Sequence, residues 1–271
     1  MSLTQPADVV WSENVCPLGQ KCKSDAVRAI IERVMGLLLL VLVSPLIVAL
    51  VVVIRLTSPG PGIYCQRRVG LRGRIFTMYK LRSMRSDAEN RSGPVWASVV
   101  RDARVTPLGY WLRRLHLDEL PQLYNVARGE MALVGPRPER PEFVQILAEQ
   151  IPEYLDRLEV KPGITGLAQI NLPPDSDLQS VRRKLVLDQE YIRCAGPLFD
   201  ARIVLCTALR VFGLRGGRAV SLMGLSRTVE LPPVCDASTQ SAPPVAASAP
   251  AQPEHDRRPL SHPAPLIVAR S

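Results

Sequence analysis

The sequence predicts a mixed α/β, mostly helical protein in three parts: an N-terminal membrane helix, a basic globular domain and a disordered C-terminal tail. Three observations predict it. Residues 34–54, VMGLLLLVLVSPLIVALVVVI, run without a charge. Residues 55 to about 215 alternate helix-spaced apolar positions with short β-branched and aromatic stretches. From about residue 222 the composition turns to Pro, Ala and Ser and holds nine of the chain's 25 prolines.

The apolar run is apolar all round, which argues against the buried core helix of a soluble protein. A helix of this length reaches across roughly 30 Å of hydrocarbon. It begins too late, and lacks the small-residue cleavage site, for a cleaved signal peptide. Ser44-Pro45 lies at its centre. A proline there has no N–H for the Val41 carbonyl, so a kink is expected, leaving two halves of roughly 15 Å each. Lys21, Lys23, Arg28 and Arg33 precede the run, and Arg55, Arg67, Arg68, Arg72 and Arg74 follow it. Basic flanks mark the cytoplasmic side, and here both flanks are basic. A bent hairpin with both ends in the cytoplasm and a kinked straight span both remain open on these grounds.

The globular part reads in order as follows. TSPGPGIY is a Pro/Gly loop leaving the membrane. IFTMYKLRSM (75–84) is a strand entering a helix or loop. Leu108, Trp111, Leu112 and Leu115 form a helical apolar face over 106–117. ELPQLYNVARGE is a short helix ending at Gly129. ALVGPRPERPEF is a short strand breaking into a proline-rich turn, with a helix over 141–158. KPGITGLAQIN is a turn and a short strand, LQSVRRKLVLDQEYIR has helical spacing, and 198–214 is a last apolar helix in the core or on the membrane surface. The segment after 222 carries four acids against four arginines and reads as a disordered tail.

Composition narrows the chemistry. The formal net charge of +9 calls for an anionic partner: nucleic acid, a phosphorylated substrate or an anionic membrane surface. Aromatic residues are only 5%, too few for the stacking platforms of a single-strand binder. Six scattered cysteines without a CxxC pair, and three histidines, do not make a structural zinc site or a disulfide framework. There is no P-loop and no GxGxxG. His116 is the sole histidine of the globular part, so a histidine-based triad has no support.

Four stretches carry candidate chemistry. In RRLHLDELPQLYN, Asp118 and Glu119 follow Arg113 and Arg114. Asp118 reads as the N-cap of a helix starting at Glu119 and, compatibly with that, as a nucleophile or metal ligand, with Arg113 and Arg114 offering charge-assisted contacts to phosphate. Lys80, Arg82 and Arg85 lie within six positions, as a solvated basic face or as one wall of an anion site. Arg137 stands between two prolines, which stiffen the backbone that presents it; the alternative is a plain surface turn. The glycines of PGITG permit a close backbone approach to a ligand.

Together these segments resemble the bacterial sugar transferase family, the monotopic phosphoglycosyl transferases. The resemblance runs from about Arg28 to about Gly216. It rests on the apolar run with Ser-Pro, LTSPGPGIYCQRRVG, FTMYKLRSMR, LDELPQLYNV followed by LVGPRPE, KPGITGLAQIN, LDQEYI and LFDARIVLCTAL. The resemblance implies an N-terminal extension over 1–27 and a re-entrant membrane helix over 28–57 broken at Ser44 and Pro45. It further implies a cytosolic, membrane-associated catalytic domain over 58–216; the disordered Pro/Ala-rich tail over 217–271 is read from composition and has no counterpart in the resemblance. The expected activity is transfer of a sugar-1-phosphate from a UDP-sugar to undecaprenyl or another polyprenyl phosphate, releasing UMP. The setting is the cytoplasmic face of the bacterial inner membrane, at the start of exopolysaccharide, O-antigen or glycoconjugate synthesis. Asp118 would be the nucleophile and a Mg²⁺ ligand, forming an aspartyl-phosphosugar intermediate. Glu119 would position the metal or assist proton transfer. Arg113, Lys80, Arg82 and Arg137 would bind phosphate. Nucleic acid is not an expected partner; a homo-oligomer is allowed.

Glu32, Thr57 and Cys65 stand where the family usually has Asp, Asp and a basic residue, and none of them touches the acid pair. Two rival functions remain for comparison: a non-catalytic basic membrane protein that recruits anionic partners, and a glycosyltransferase that moves only the sugar and releases UDP.

Overall fold

A computed structural model describes residues 25–85, 104–151, 153–211, 217–229 and 231. The expected N-terminal extension up to residue 24, and the tail beyond 231, lie outside the described residues. Eight α-helices and four short strands form the described structure, which is mixed α/β and mostly helical as the sequence predicts.

Helix α1 is Asp25–Thr57, 33 residues, with Pro45 inside it. The proline does not interrupt the helix, in contrast to the expected break. The carbonyl that Pro45 leaves without a donor belongs to Val41, and the Ser44 hydroxyl donates to it at 2.8 Å. The Ser-Pro pair thus supplies its own replacement bond. By length and composition α1 is able to cross a membrane, and only 6% of its apolar window is buried. Leu37, Leu38, Val41 and Leu42 are all exposed, which removes the soluble core-helix reading.

Both ends of α1 dock on the same globular body. At the N-terminal end Arg28 pairs with Asp200 at 2.5 Å and donates to the Tyr191 hydroxyl at 3.1 Å. Gly36 is buried against Val126, close enough that a side chain would collide with it. At the C-terminal end Ile54 is 2% exposed and packs with Leu81 and Leu112. Between the docked ends Ile47, Leu50 and Val51 pack against the same body, while Val41, Leu42, Val48 and Val52 on the opposite face are exposed.

Strands β1 (Ile63–Val69) and β2 (Ile75–Leu81) form an antiparallel hairpin that pairs Ile63 with Leu81 and Val69 with Ile75. Helix α2 (Pro107–Arg114) starts at Thr106, whose hydroxyl accepts from Gly109 N at 2.9 Å, with Pro107 in its first turn. A 3₁₀ turn over Leu117–Glu119 leads to α3 (Gln122–Arg128), which Gly129 ends in the left-handed conformation at φ 77°. Strand β3 (Ala132–Val134) pairs in parallel with β4 (Gly163–Thr165). Between them lie α4 (Pro141–Gln150) and a 3₁₀ turn over Tyr154–Glu159. The helix expected over 141–158 is therefore split. Ile151 precedes a proline, takes extended angles and ends α4.

Helix α5 (Leu167–Asn171) occupies positions read as strand and turn from the sequence. It is one turn long, too short for periodicity to register. Helix α6 (Leu178–Cys194) opens with a reciprocal Asp177–Ser180 capping box. Helix α7 (Pro197–Val211) buries Phe199, Ile203 and Cys206 and exposes Leu198, Val204 and Leu205. The largest core joins Val134, Leu167, Leu187, Tyr191 and Ile203.

The boundary at 216/217 needs correction. Residues 217–229, expected to begin a disordered tail, are packed structure. Helix α8 (Gly217–Leu222) buries Ala219 and Val220, and Leu225 is 0% exposed. Arg227 pairs with the buried Glu190 at 2.6 Å. Composition is a coarse guide here: a few apolar anchors at the head of a Pro/Ala-rich segment suffice to dock it. Cys65 and Cys206 are free thiols.

Candidate functional site

The acid pair sits where α2 turns toward α3. His116, at φ 55°, reverses the chain in a conformation that non-glycine residues seldom adopt. The turn it starts carries Asp118 and Glu119. The N-cap reading of Asp118 does not hold, because Asp118 lies inside the 3₁₀ turn and Pro121 occupies the N-cap of α3.

Asp118 is 8% exposed. Among the described residues no hydrogen bond to its carboxylate is found. Burial, then the adjacent Glu119 charge, pushes its pKa above the usual aspartate value, against the pull of Lys80, Arg113 and Arg137.

Glu119 is already occupied. Its Oε1 accepts from Arg137 Nη2 at 2.6 Å and lies 3.5 Å from Lys80 Nζ. Burial works to raise its pKa, but Arg137 and Lys80 overcome that and hold it at about 2. The fully ionised Glu119 thus anchors two cations from two elements, Lys80 from β2 and Arg137 from the loop after β3. Burial and the Arg137 charge bring Lys80 down to about 8, with Glu119 opposing them.

Of the phosphate-binding residues expected from the sequence, Lys80 and Arg137 meet at Glu119. Arg113 is exposed at the end of α2, its Nε on Ser83 Oγ at 2.9 Å, and its charge acts on Asp118. Arg82 does not join them. It is 6% exposed, and its two Nη atoms donate to Pro59 O at 2.8 Å and to Ser58 O at 2.7 Å. Its work is to hold the loop that leaves α1, so the phosphate-binding reading of Arg82 is corrected. In a strand successive side chains alternate faces, but 80 and 82 straddle the end of β2, where the alternation no longer applies. Ser44 and Pro45 lie far along α1 in sequence and belong to the helix, not to this cluster.

The glycines of PGITG do approach a backbone closely, but it is the chain's own. Side chains at Gly163 or Gly166 would strike Gly135. The close contact fixes the GPRPE loop against β4.

Two residues of the site's frame were not legible as such. Asn125, 0% exposed, donates to Thr77 O at 2.7 Å and accepts from Tyr79 N at 3.2 Å, tying α3 to β2 beside Lys80. Its one signal is a polar residue on an apolar helix face. Arg157 reaches the Arg137 carbonyl at 2.9 Å, and nothing local in YLDRLE marks it.

A divalent ion can be judged against these donors. Among the described residues no group of three or more His, Cys, Asp or Glu side chains converges. Mg²⁺ needs fewer, since one or two carboxylates with water and substrate phosphate suffice. The Asp118 carboxylate, without a hydrogen-bond partner among the described residues, fits such a sparse site.

An α/β domain that bears a long exposed apolar helix and gathers a carboxylate pair with cations is a class of protein suited to phosphate chemistry beside a membrane. The comparisons give the family. The model of the bacterial sugar transferase family matches residues 23–214, and the chain belongs to that family. It is 44% identical over 183 residues to an undecaprenyl-phosphate glucose phosphotransferase of Komagataeibacter xylinus, covering 65% of this chain and 34% of the relative. It is 41% identical over 196 residues to a UDP-N-acetylgalactosamine-undecaprenyl-phosphate N-acetylgalactosaminephosphotransferase of Aeromonas hydrophila, covering 70% and 46%. It is 39% identical over 186 residues to a UDP-glucose:undecaprenyl-phosphate glucose-1-phosphate transferase of Caulobacter vibrioides, covering 68% of each. The chain thus spans about a third to two thirds of the length of these relatives.

Proposed function

We propose that this chain is a phosphoglycosyl transferase that moves a sugar-1-phosphate from a UDP-sugar to undecaprenyl phosphate and releases UMP. The observation that carries the reading is the contrast within the acid pair. Glu119 is spent on Arg137 and Lys80, whereas the buried Asp118 carboxylate beside it has no hydrogen-bond partner among the described residues. The family and the activities for which its relatives are named supply the reaction class.

The chemistry proceeds in two displacements. A carboxylate oxygen of Asp118 attacks the phosphorus that bears the sugar; the bond from that phosphorus to the bridging oxygen breaks, and UMP leaves with the electron pair. A phosphate oxygen of the lipid then attacks the same phosphorus, the bond to Asp118 breaks, and the carboxylate is restored. The product is a polyprenyl-diphosphate sugar. Lys80, Arg137 and Arg113 offset the negative charge that redistributes over the phosphoryl oxygens. Glu119 holds Lys80 and Arg137 in place between turnovers. Asp118 is also the residue that would hold Mg²⁺, whose charge neutralises the diphosphate.

The docking of both ends of α1 on one globular body supports the re-entrant topology. A straight span would carry one end to the far side of the bilayer, away from Asp200 or from Leu112. Arg28 and Ser58 instead both bind the domain, and Val41, Leu42, Val48 and Val52 on the outer face of α1 are exposed for lipid; in this reading α1, continuous here, bends near Pro45 when it enters the bilayer. The same reading has the domain work at the cytoplasmic face, where a soluble nucleotide sugar meets a lipid phosphate and polysaccharide or glycoconjugate assembly begins.

The test is nucleotide release. The purified chain in nanodiscs is mixed with Mg²⁺, undecaprenyl phosphate and a panel of UDP-sugars, beside Asp118→Asn. UMP release that requires Asp118 is expected. UDP release would mean a sugar-only transferase, and binding without turnover would favour a non-catalytic recruiter of anionic partners.

A further inference from the structure

We propose that Arg157 is a positioning residue for the Arg137 loop and that Asp188 holds it in that role; the inference rests on the reaction proposed above. The loop 136–139 reads Pro-Arg-Pro-Glu, and its two prolines have no N–H to donate. A proline-rich loop is therefore fixed through its carbonyls, and all four are taken. Pro136 O accepts from Gly163 N at 2.9 Å. Arg137 O accepts from Arg157 Nη2 at 2.9 Å. Pro138 O accepts from Arg68 Nη1 at 2.9 Å. Glu139 O accepts from Val69 N at 2.9 Å. The donors come from β4, the 154–159 turn and β1, so three separate elements grip one four-residue loop. The second carbonyl, that of the residue whose guanidinium meets Glu119, is the one that Arg157 takes.

Arg157 is itself set firmly. It is 7% exposed, donates from Nη1 to the Tyr154 hydroxyl at 2.7 Å, and pairs with Asp188 at 2.8 Å without hydrogen-bond alignment. Asp188, on α6, is 2% exposed. A buried ion pair of this kind is weak evidence of stabilisation, since apolar residues of similar volume often serve the fold as well. Its position gives it another use. From Asp188 through Arg157 to the Arg137 carbonyl, and from the Arg137 guanidinium to Glu119, each step is one contact. The chain of contacts runs from α6 to the acid pair. Displacement of Arg137 by a fraction of an ångström would loosen Glu119 and Lys80 together.

The test separates this role from bulk stability. In Arg157→Met/Asp188→Leu the ion pair is replaced by apolar volume, which keeps the core filled and removes the donor to Arg137 O. Expected are a thermal midpoint close to the parent's, faster amide exchange confined to the 135–140 peptide, and a fall in kcat/KM for the UDP-sugar of about ten- to a hundredfold. Arg157→Lys, which restores a charge opposite Asp188 and one donor, is expected to recover part of both. Native exchange in 135–140, or native kcat/KM in a folded double variant, would overturn the proposal, as would exchange that rises throughout the domain. Parent turnover is measured alongside. Its absence strikes at the proposed reaction alone, because exchange in the loop reads the Arg157 contact whether or not the chain turns over.

Discussion

Arg137 Nη2 lies 2.6 Å from Glu119 Oε1, and this one contact divides the labour of the acid pair. Glu119 is committed to cations, and Asp118 has no hydrogen-bond partner among the described residues. Glu119→Ala should therefore release Arg137 and Lys80 from their shared anchor and lower kcat/KM by about a hundredfold, on the scale of losing one charge-stabilising donor. Glu119→Gln retains an oxygen acceptor for Arg137 and should lose less. Asp118→Asn should abolish UMP release altogether. Steady-state rates of the three variants check the order. A Glu119→Ala variant as inactive as Asp118→Asn would contradict the division.

Lys80 gives a pH dependence. Burial and the Arg137 charge bring its pKa to about 8, with Arg68 pushing the same way and Glu119 and Asp118 opposing. The folded value lies below the unfolded one, so the charged form is disfavoured by folding, and Lys80 gives up its proton as the pH rises through about 8. A neutral Lys80 no longer balances phosphate charge. The alkaline limb of kcat/KM, which reports free-enzyme groups, should fall near pH 8. In Lys80→Arg the cation persists, and the limb should move to higher pH. A limb that stays in place in Lys80→Arg would assign it to another group.

These two groups also mark how much of the site the sequence makes legible. Asp118, Glu119, Lys80 and Arg137 are readable because each stands in a short, distinctive stretch, and the fold brings three of them into contact. The helices with strong periodicity or caps, α2, α3 and α6, are readable for the same local reason. Arg82 is misread since charge alone does not say whether a guanidinium faces a ligand or its own backbone. Its partners, Ser58 and Pro59, are more than 20 residues away. Arg157 and Asn125 act through long-range contacts to carbonyls of other elements, and no local pattern encodes those. The continuity of α1 through Pro45 depends on a side-chain bond, Ser44 to Val41, that is visible only once the helix is built.

The seat of α1 leads to a topology measurement. Arg28 and Ile54 both engage the globular domain, so positions near either end should share one side of the membrane. Single cysteines at Val27 and Thr57, in a background without the natural cysteines, should react with an impermeant maleimide only after the inner membrane is opened. Reaction of either one in intact spheroplasts would indicate a straight span. Asp200→Ala, which removes the Arg28 partner, should weaken the docked N-terminal end and raise protease sensitivity there.

Residues 217–229 lie beyond the stretch matched by the family, yet they are bound into its core. Asn171, at the end of α5, donates to Leu225 O at 3.0 Å and accepts from Arg227 N at 3.0 Å. Helix α5 follows β4 directly, and β4 lies against the loop that presents Arg137. The segment therefore braces the layer behind the site. Truncation after Gly216 removes the burial of Val220 and Leu225 and leaves Glu190 without Arg227. Burying two such side chains is worth roughly 3 kcal/mol or more, to which the stranded Glu190 charge adds. Truncation after Leu231 spares all of these contacts. Thermal unfolding in detergent should thus show a midpoint several degrees lower for the first truncation and one near the parent's for the second. Equal midpoints for the two truncations would mean that the packed segment contributes nothing to the domain.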